Sequence, residues 1–175
     1  MKTFKEKLGR EWLFFDGGTG TILQDNGLAA GELPEKWNID HKDIIRNLHK
    51  AYLEAGADII KTNTFGANGL KYKGQGEYSL ERIIREAVRH AKWARQETGR
   101  EDAFIALDVG PTGKLLKPMG DLEFEEAYRL FQEVIGIGEQ EGVDLILIET
   151  MSDTYETKAA VLAARENSQL PVVAT

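Results

Sequence analysis

The stretch AGADII at residues 55–60 returns in altered form as EGVDLI at residues 141–146. In each copy a glycine stands where a helix would end, and an aspartate then leads into a short apolar run. Each copy therefore predicts the end of a helix followed by the start of a strand. The repeat indicates a chain built from strands and helices in alternation.

Five short apolar runs predict strands, and a segment long enough for a helix separates each from the next. These runs cover residues 13–15, 58–65, 103–109, 145–150 and 171–175. Strands that alternate with helices form a parallel sheet covered by those helices. We therefore predict an α/β fold made of parallel (β/α) repeats.

Apolar residues at helical spacing predict the covering helices. The first two carry apolar faces that begin at Ile44 and Ile83. A third helix is predicted over residues 123–141 with Asp121 as its N-cap, and a fourth begins with Asp153 and Glu156 in capping-box spacing. All four connections between the predicted strands are therefore helical.

The length of the chain points to part of a larger architecture. A (β/α)8 barrel needs roughly 250 residues, whereas these 175 residues end within the fifth predicted strand. We expect residues 1–175 to be the N-terminal half of a TIM (β/α)8 barrel, truncated within strand five. Such a half would expose two edge strands and the inner face of its sheet, so we predict that the fragment self-associates.

Composition excludes several classes of protein. The net charge of −7 disfavours nucleic acid as a partner, and no run of 18 apolar residues predicts a membrane span. The N-terminus lacks the apolar centre of a signal peptide, which favours a cytoplasmic protein. With no cysteine, and with three histidines placed on or beside predicted helices (His41, His49 and His90), no metal site is predicted.

Polar residues and glycines stand at the carboxyl ends of the predicted strands, where parallel α/β folds bind ligands. They are Asp16, Gly17 and Gly18 after the first strand, Thr62, Asn63 and Thr64 in the second, Gly110 and Pro111 after the third, and Glu149 in the fourth. The carboxylates of Asp16 and Glu149 would suit an ammonium group, and backbone N–H groups at the glycines would suit a carboxylate. The pattern predicts a site for a zwitterionic α-amino acid.

Other interpretations of the same residues stay open. The glycines of FFDGGTGT, residues 14–21, favour a phosphate- or nucleotide-binding α/β domain, although Leu23 stands where a dinucleotide fingerprint needs its third glycine. Asp16 could instead cap the segment that follows it, and Glu149 could form an ion pair at the end of its strand. Gly110 and Pro111 could form only a turn, and Thr62 and Thr64 are residue types that are common in strands. The three tryptophans, at positions 12, 37 and 93, are interpreted as packing residues.

Four stretches in this order resemble the homocysteine S-methyltransferase family. They are FFDGGTGT at residues 14–21, the segment from PEKWN to FGAN at residues 34–68, LDVGPTG at residues 107–113, and ILIETMSDTYETKAAVLAARE at residues 146–166. The resemblance runs from about residue 11 to residue 175 and is closest to the homocysteine-binding module of cobalamin-dependent members. Each motif is modest alone, but the set at these spacings is specific.

The resemblance implies a (β/α)8 barrel that transfers a methyl group to the thiol of homocysteine and forms methionine. It implies that Asp16 and Glu149 receive the amino group of homocysteine, that Gly17 and Gly18 supply backbone donors, and that Thr62, Asn63, Thr64, Gly110 and Pro111 line the pocket. It also implies a zinc ion, held by three cysteines, that binds the homocysteine thiol and lowers the pKa of that thiol. Methylcobalamin is the implied methyl donor, although other members of the family use S-methylmethionine or betaine. Folate- and cobalamin-binding modules would follow downstream.

The chain departs from the family in having no cysteine. The resemblance places the zinc ligands in later strands, so no catalytic residue is expected within these 175 residues. We expect an inactive fragment that carries the amino-acid-positioning half of the parent enzyme. A non-catalytic truncated module is the alternative.

Overall fold

The computed structural model describes residues 2–72 and 78–175. The helices are α1 (Phe4–Lys7), α2 (Gly20–Asp25), α3 (Trp37–Asp40), α4 (Lys42–Glu54), α5 (Leu80–Glu97), α6 (Phe124–Gln140) and α7 (Thr154–Asn167), and a 3₁₀ turn covers Pro34–Lys36. The strands are β1 (Ile59–Lys61), β2 (Phe104–Val109), β3 (Leu145–Ile148) and β4 (Val172–Ala174). No helix of the described ranges is long and apolar enough to cross a membrane.

The four strands form one parallel sheet in the order β1-β2-β3-β4. Helices α5, α6 and α7 connect successive strands, which confirms the predicted parallel (β/α) architecture. The register sets Lys61 beside Ala106 and Asp108 beside Leu147. The carboxyl ends of the strands therefore meet at one edge of the sheet.

The sequence repeat has a structural counterpart at two strand entries. Gly56 and Gly142 adopt positive φ angles of 101° and 75°, which end the preceding helices. The carboxylate of Asp58 then accepts a hydrogen bond from the N–H of Phe14 at 3.0 Å, and that of Asp144 accepts one from the N–H of Ile105 at 2.8 Å. Asp58 thus ties the start of β1 to residues 13–15, and Asp144 ties the start of β3 to β2.

The strands are shorter than predicted. Residues 13–15 make only an isolated bridge, Phe15 to Ile59, instead of a strand. Strand β1 ends at Lys61 because the chain then turns, with the N–H of Thr64 donating to the carbonyl oxygen of Thr62 at 2.8 Å. Strand β3 ends at Ile148, shortly before Thr150 takes a φ of 59° that no strand can continue through.

One predicted N-cap and one predicted capping box are wrong. Helix α6 has Glu123 rather than Asp121 at its N-cap. Asp153 caps α7 as predicted, accepting from the N–H of Tyr155 at 2.7 Å. The capping box does not form, because the Glu156 side chain accepts hydrogen bonds from Thr112 instead of from the backbone N–H of Asp153.

The two faces of the sheet carry separate cores. Alternate residues such as Ile60, Ile105 and Ile146 pack against the helices. The opposite, inner face is built from Ile59, Phe104, Ala106, Leu145 and Leu147. We expected this face to be exposed, but these five side chains are buried, and Phe4 of α1 packs on them, its ring 5.7 Å from that of Phe104. The N-terminal turn thus covers part of the face.

The tryptophans and histidines have unequal environments. Trp37 is buried and Trp93 is half-buried beneath Arg46, whereas Trp12 is 88% exposed, so the packing prediction is wrong for Trp12. His49 and His90 are buried, and His41 lies exposed against Trp37. The histidines lie on or beside α4 and α5, away from the strand ends.

Candidate functional site

A cavity of about 260 Å³ opens at the carboxyl ends of the strands. Its lining combines the glycine loop, the strand ends and the segment before α3: Gly18, Thr19, Gly20, Pro34, Glu35, Lys61, Asn63, Phe65, Asp108, Glu149 and Thr150. Of the residues predicted from sequence, Gly18, Asn63 and Glu149 line it directly. The cavity therefore lies where the fold places its ligand sites.

Asp16 lies beside this cavity with one carboxylate oxygen satisfied and one not. Its Oδ2 accepts a hydrogen bond from the N–H of Lys61 at 2.9 Å, while Oδ1 is buried with no hydrogen-bond partner among the described residues. Burial raises the pKa of Asp16 to about 6, against the lowering effect of the Lys61 N–H and ammonium; Glu149 raises it further. The carboxylate is held in place but left partly unsatisfied.

Lys61 occupies the space between the two predicted carboxylates. Its Nζ lies 3.4 and 3.5 Å from the two carboxylate oxygens of Glu149 and 4.0 Å from Oδ1 of Asp16. Burial opposes the charge on Lys61, but Glu149, Asp16 and Asp108 outweigh burial and raise the pKa of the ammonium. Sequence reasoning missed Lys61, although strand alternation from the inward Ile59 would have placed it inside.

Asp108 is the second residue that sequence reasoning did not select. It ends the inward series Phe104, Ala106 and Asp108 on β2 and lines the cavity. Only 6% of its surface is exposed, and its Oδ1 has no hydrogen-bond partner among the described residues. Burial raises the pKa of Asp108 well above its ordinary value, and Glu149 raises it further.

Thr62 and Thr64 hold the backbone of Asp108 instead of lining the cavity. The N–H of Asp108 donates to Oγ1 of Thr62 at 3.1 Å, and the hydroxyl of Thr64 donates to the carbonyl oxygen of Asp108 at 2.7 Å. The hydroxyl oxygens of Thr62 and Thr64 lie 2.7 Å apart, so the two threonines and the backbone of Asp108 form a closed ring of hydrogen bonds. Their direct contact with a ligand therefore remains a prediction, while their role in placing Asp108 is visible.

Asn63 is fixed by the segment that leads into α3. Its amide donates to the carbonyl oxygen of Pro34 at 2.9 Å and to Oδ1 of Asn38 at 3.0 Å. Asn38 in turn donates to the carbonyl oxygen of Asn63 at 2.9 Å. This pair of amides ties the end of β1 to the PEKWN segment and presents Asn63 to the cavity.

Gly17 and Gly18 form a loop whose position is set by Tyr52 of α4. The Tyr52 hydroxyl donates to the carbonyl oxygen of Gly18 at 2.9 Å. The backbone N–H groups of Gly17 and Gly18 donate no hydrogen bond to any residue in the ranges 2–72 and 78–175. Gly18 lines the cavity at the strand ends, whereas Gly17 lines a neighbouring one with Phe14, Phe15 and Tyr52, so the contact of the Gly17 N–H with a ligand stays a prediction.

Gly110 and Pro111 lie in the loop after β2 and are not among the cavity-lining residues. The N–H of Gly110 donates to the carbonyl oxygen of Phe65 at 2.9 Å, and a Cβ at Gly110 would lie 2.6 Å from that oxygen. The buried Glu156 holds the same loop, with Oε1 accepting from both the N–H and the hydroxyl of Thr112 at 2.7 Å. These contacts give Gly110 a packing role and leave the substrate role a prediction.

Glu149 is followed by a residue in a rare conformation. Thr150 lines the cavity and has a φ of 59°, which a β-branched residue seldom adopts. Backbone strain of this kind costs about 1–3 kcal/mol and is concentrated at functional sites. The turn brings the end of β3 into the cavity wall.

The charges of the site favour a cation over an anion. Four acidic side chains, those of Asp16, Glu35, Asp108 and Glu149, line or adjoin the cavity together with one ammonium, that of Lys61. A phosphate would be repelled by this excess, whereas a primary ammonium can donate to the unpartnered oxygens. Within the described ranges no three residues of the His, Cys, Asp and Glu types are grouped to hold a metal ion.

Comparison with known proteins identifies relatives that match most of the chain. The family model for homocysteine S-methyltransferases matches residues 13–175. Methionine synthase from Mycobacterium leprae is 31% identical, and the match covers 91% of this chain and 14% of that protein. The chain thus spans about a seventh of this relative.

Solved structures of similar fold include the homocysteine methyltransferase MmuM from Escherichia coli. Its oxidised form matches with a TM-score of 0.82 at 20% identity, covering 98% of this chain and 64% of that one. Its metallated form matches with a TM-score of 0.75 at 22% identity, covering 93% and 63%. The described strands and helices therefore have the fold of part of a TIM (β/α)8 barrel, as predicted.

Proposed function

Because the chain belongs to the homocysteine S-methyltransferase family, we propose that its cavity binds the amino-acid end of homocysteine as the acceptor of a methyl group. The product of that transfer would be methionine. One observation carries the proposal: a buried carboxylate with an unpartnered oxygen and a glycine loop with free N–H groups lie beside one cavity. The two ends of an α-amino acid need these two kinds of partner.

In this proposal the carboxylates of Asp16 and Glu149 accept hydrogen bonds from the ammonium of homocysteine. The N–H groups of Gly17 and Gly18 donate to its carboxylate, and Asn63 contributes a polar wall. Thr62 and Thr64 act through the backbone of Asp108, and Gly110 and Pro111 shape the loop beside it. The residues bind and orient the amino acid, which leaves its thiol free for the reaction.

Zinc, which the resemblance implies, does not fit the residues described. The chain has no cysteine, and residues 2–72 and 78–175 contain no grouping of metal-binding side chains. The role assigned to these residues is therefore substrate binding, without a metal step. For the parent enzyme we propose methylcobalamin as the donor and folate- and cobalamin-binding modules as its other parts, on the strength of its methionine synthase relative.

Titration calorimetry tests the proposal in the protein expressed from its full coding sequence. We expect homocysteine to bind, and we expect Asp16→Asn and Glu149→Gln each to weaken binding by at least tenfold, since each removes a charge-assisted bond of about 1.5–3 kcal/mol. Asp25→Asn, at an exposed position on α2, is the matched control and should not change binding. A protein that binds nucleotides and not homocysteine would contradict the proposal.

Nucleotide binding is the weaker alternative. The glycine loop is its sole support, and α2 after that loop has six residues. The carboxylates of Asp108 and Glu149 line the same cavity as the loop and would repel phosphate. A non-catalytic binding module is compatible with the same geometry, and assays of methyl transfer by the complete protein distinguish it from the enzyme.

A further inference from the structure

We propose that Asp108 is a third carboxylate of the ammonium subsite and that the Lys61 side chain is a resident cation which the ammonium of the ligand displaces. This inference rests on the proposed function and adds two residues that determine specificity for an amine. It arises because the proposed binding of homocysteine uses Asp16 and Glu149 but leaves the charges of Lys61 and Asp108 without a role.

Two aspartates at the site each have one carboxylate oxygen without a hydrogen bond. Oδ1 of Asp16 and Oδ1 of Asp108 are both buried without a hydrogen-bond partner in the described chain. Buried polar atoms are nearly always bonded, and leaving one unbonded costs about 1–3 kcal/mol. An ammonium has three N–H donors, which is the number that Asp16, Asp108 and Glu149 together call for.

The Lys61 side chain lies between the cavity and Asp16. The Asp16 side chain is 0% exposed, and Nζ of Lys61 stands 4.0 Å from its free oxygen. A ligand ammonium can therefore reach Asp16 after Lys61 has moved. Lys61 pairs with Ala106, one inward position before Asp108, and Lys61 and Asp108 line the same cavity, so we expect the same movement to uncover both aspartates.

The ammonium of Lys61 is held by long contacts. Its contacts with Glu149, at 3.4 and 3.5 Å, are long for charge-assisted hydrogen bonds, which usually measure about 2.7–2.9 Å. The lysine stem is flexible and can carry the ammonium out into solvent. Exchange of one ammonium for another preserves the charge balance of the three carboxylates, so it avoids exposing them unpaired in a buried site.

Calorimetry with two probes tests this inference in the protein expressed from its full coding sequence. The probes are homocysteine and 4-mercaptobutanoate, which keeps the thiol and the carboxylate but lacks the amine. We expect Lys61→Met to tighten homocysteine binding about tenfold, because the competing cation is gone, and to change the binding of 4-mercaptobutanoate less than threefold. Adding Asp108→Asn to Lys61→Met should weaken homocysteine binding about tenfold and leave the analogue unchanged.

Any other result contradicts one specific part of the proposal. If Lys61→Met weakens both probes equally, Lys61 binds the ligand carboxylate and is not displaced; if homocysteine affinity does not change, Lys61 does not compete. If Asp108→Asn has no effect in the Lys61→Met protein, Asp108 is not part of the subsite. Failure of the unaltered protein to bind homocysteine would instead refute the proposed function. Thermal melting checks folding, and Lys61→Gln replaces Lys61→Met if the latter does not fold.

Discussion

The hydroxyl of Tyr52 donates a hydrogen bond to the carbonyl oxygen of Gly18 across 2.9 Å and so holds the glycine loop against α4. This contact gives the two neighbouring glycines different steric surroundings. A Cβ at Gly17 would lie 2.7 Å from the Tyr52 hydroxyl, whereas a Cβ at Gly18 would meet its nearest atom, on Thr21, at 3.5 Å. Neither glycine has a positive φ, so the difference is one of space.

Gly17→Ala should therefore destabilise the fold by about 1–3 kcal/mol, because the added methyl group displaces Tyr52 or the loop. Gly18→Ala is the matched control and should cost less than about 1 kcal/mol. Chemical denaturation measures both. Tyr52→Phe in the Gly17→Ala protein should recover part of the loss, since the nearest ring carbon lies 3.1 Å from the added group. Equal losses for the two glycines would contradict this account.

Asp16→Asn should stabilise the folded chain at pH 7 while it weakens the binding of homocysteine. The pKa of Asp16 is about 6 in the folded chain and 3.8 ordinarily, so the folded state holds this proton more tightly than the unfolded state. Stability is therefore lost as the pH rises from 3.8 to about 6, and it stays lower above that range. We expect a gain of about 1–3 kcal/mol from the substitution at pH 7.

Urea denaturation at a series of pH values measures the effect of Asp16→Asn. The stability of the variant should not show the decrease between pH 3.8 and 6 that Asp16 contributes to the unaltered chain. Asp25→Asn should retain that decrease, because Asp25 is exposed. A variant that is less stable than the unaltered chain at pH 7 would show that the charged form of Asp16 supports the fold.

His49 should make the fold sensitive to acid in the opposite direction. It is fully buried, and neither ring nitrogen has a hydrogen-bond partner among the described residues. Burial, aided by the nearby His90, lowers the pKa of His49 from 6.5 to about 3. Between pH 6.5 and about 3, His49 binds a proton in the unfolded chain but not in the folded chain. The free energy of unfolding therefore falls as the pH drops through this range, by up to about 1.4 kcal/mol per pH unit.

His49→Leu removes this titration and should flatten the stability profile below pH 6.5. His41→Gln, at an exposed position, serves as the control and should keep the profile of the unaltered chain. Denaturation followed by circular dichroism between pH 4 and pH 7 measures both. An unchanged slope in His49→Leu would mean that His49 is protonated in the folded chain.

Glu156→Ala should destabilise the loop after β2. Its carboxylate accepts two hydrogen bonds from Thr112, and both residues are buried. Removal leaves the N–H of Thr112 without a partner, at a cost of about 2–4 kcal/mol. Glu97→Ala, on the exposed end of α5, should change stability by less than about 0.5 kcal/mol. A similar small change for Glu156→Ala would argue against a structural role of the carboxylate.

Much of the fold could be predicted from local sequence patterns. The repeated glycine and aspartate before strands β1 and β3, and the helical spacing between strands, predict a parallel α/β architecture because backbone turns and hydrophobic periodicity act over a few residues. The placement of Asp16, Gly18, Asn63 and Glu149 around one cavity followed from the rule that parallel strands end at a common edge. Their contact with a ligand stays a prediction.

Other features depend on the tertiary structure alone. Lys61 and Glu149 are 88 positions apart, and Glu156 and Thr112 are 44 apart, so their contacts depend on strand register and sheet curvature, which no short pattern encodes. The same holds for the covering of the inner face by Phe4. The sequence by itself determined the order of strands and helices and the edge that carries the site. Tertiary packing placed the ammonium of Lys61 between the carboxylates of Asp16 and Glu149, because it brought side chains that are distant in the sequence into one small, buried space.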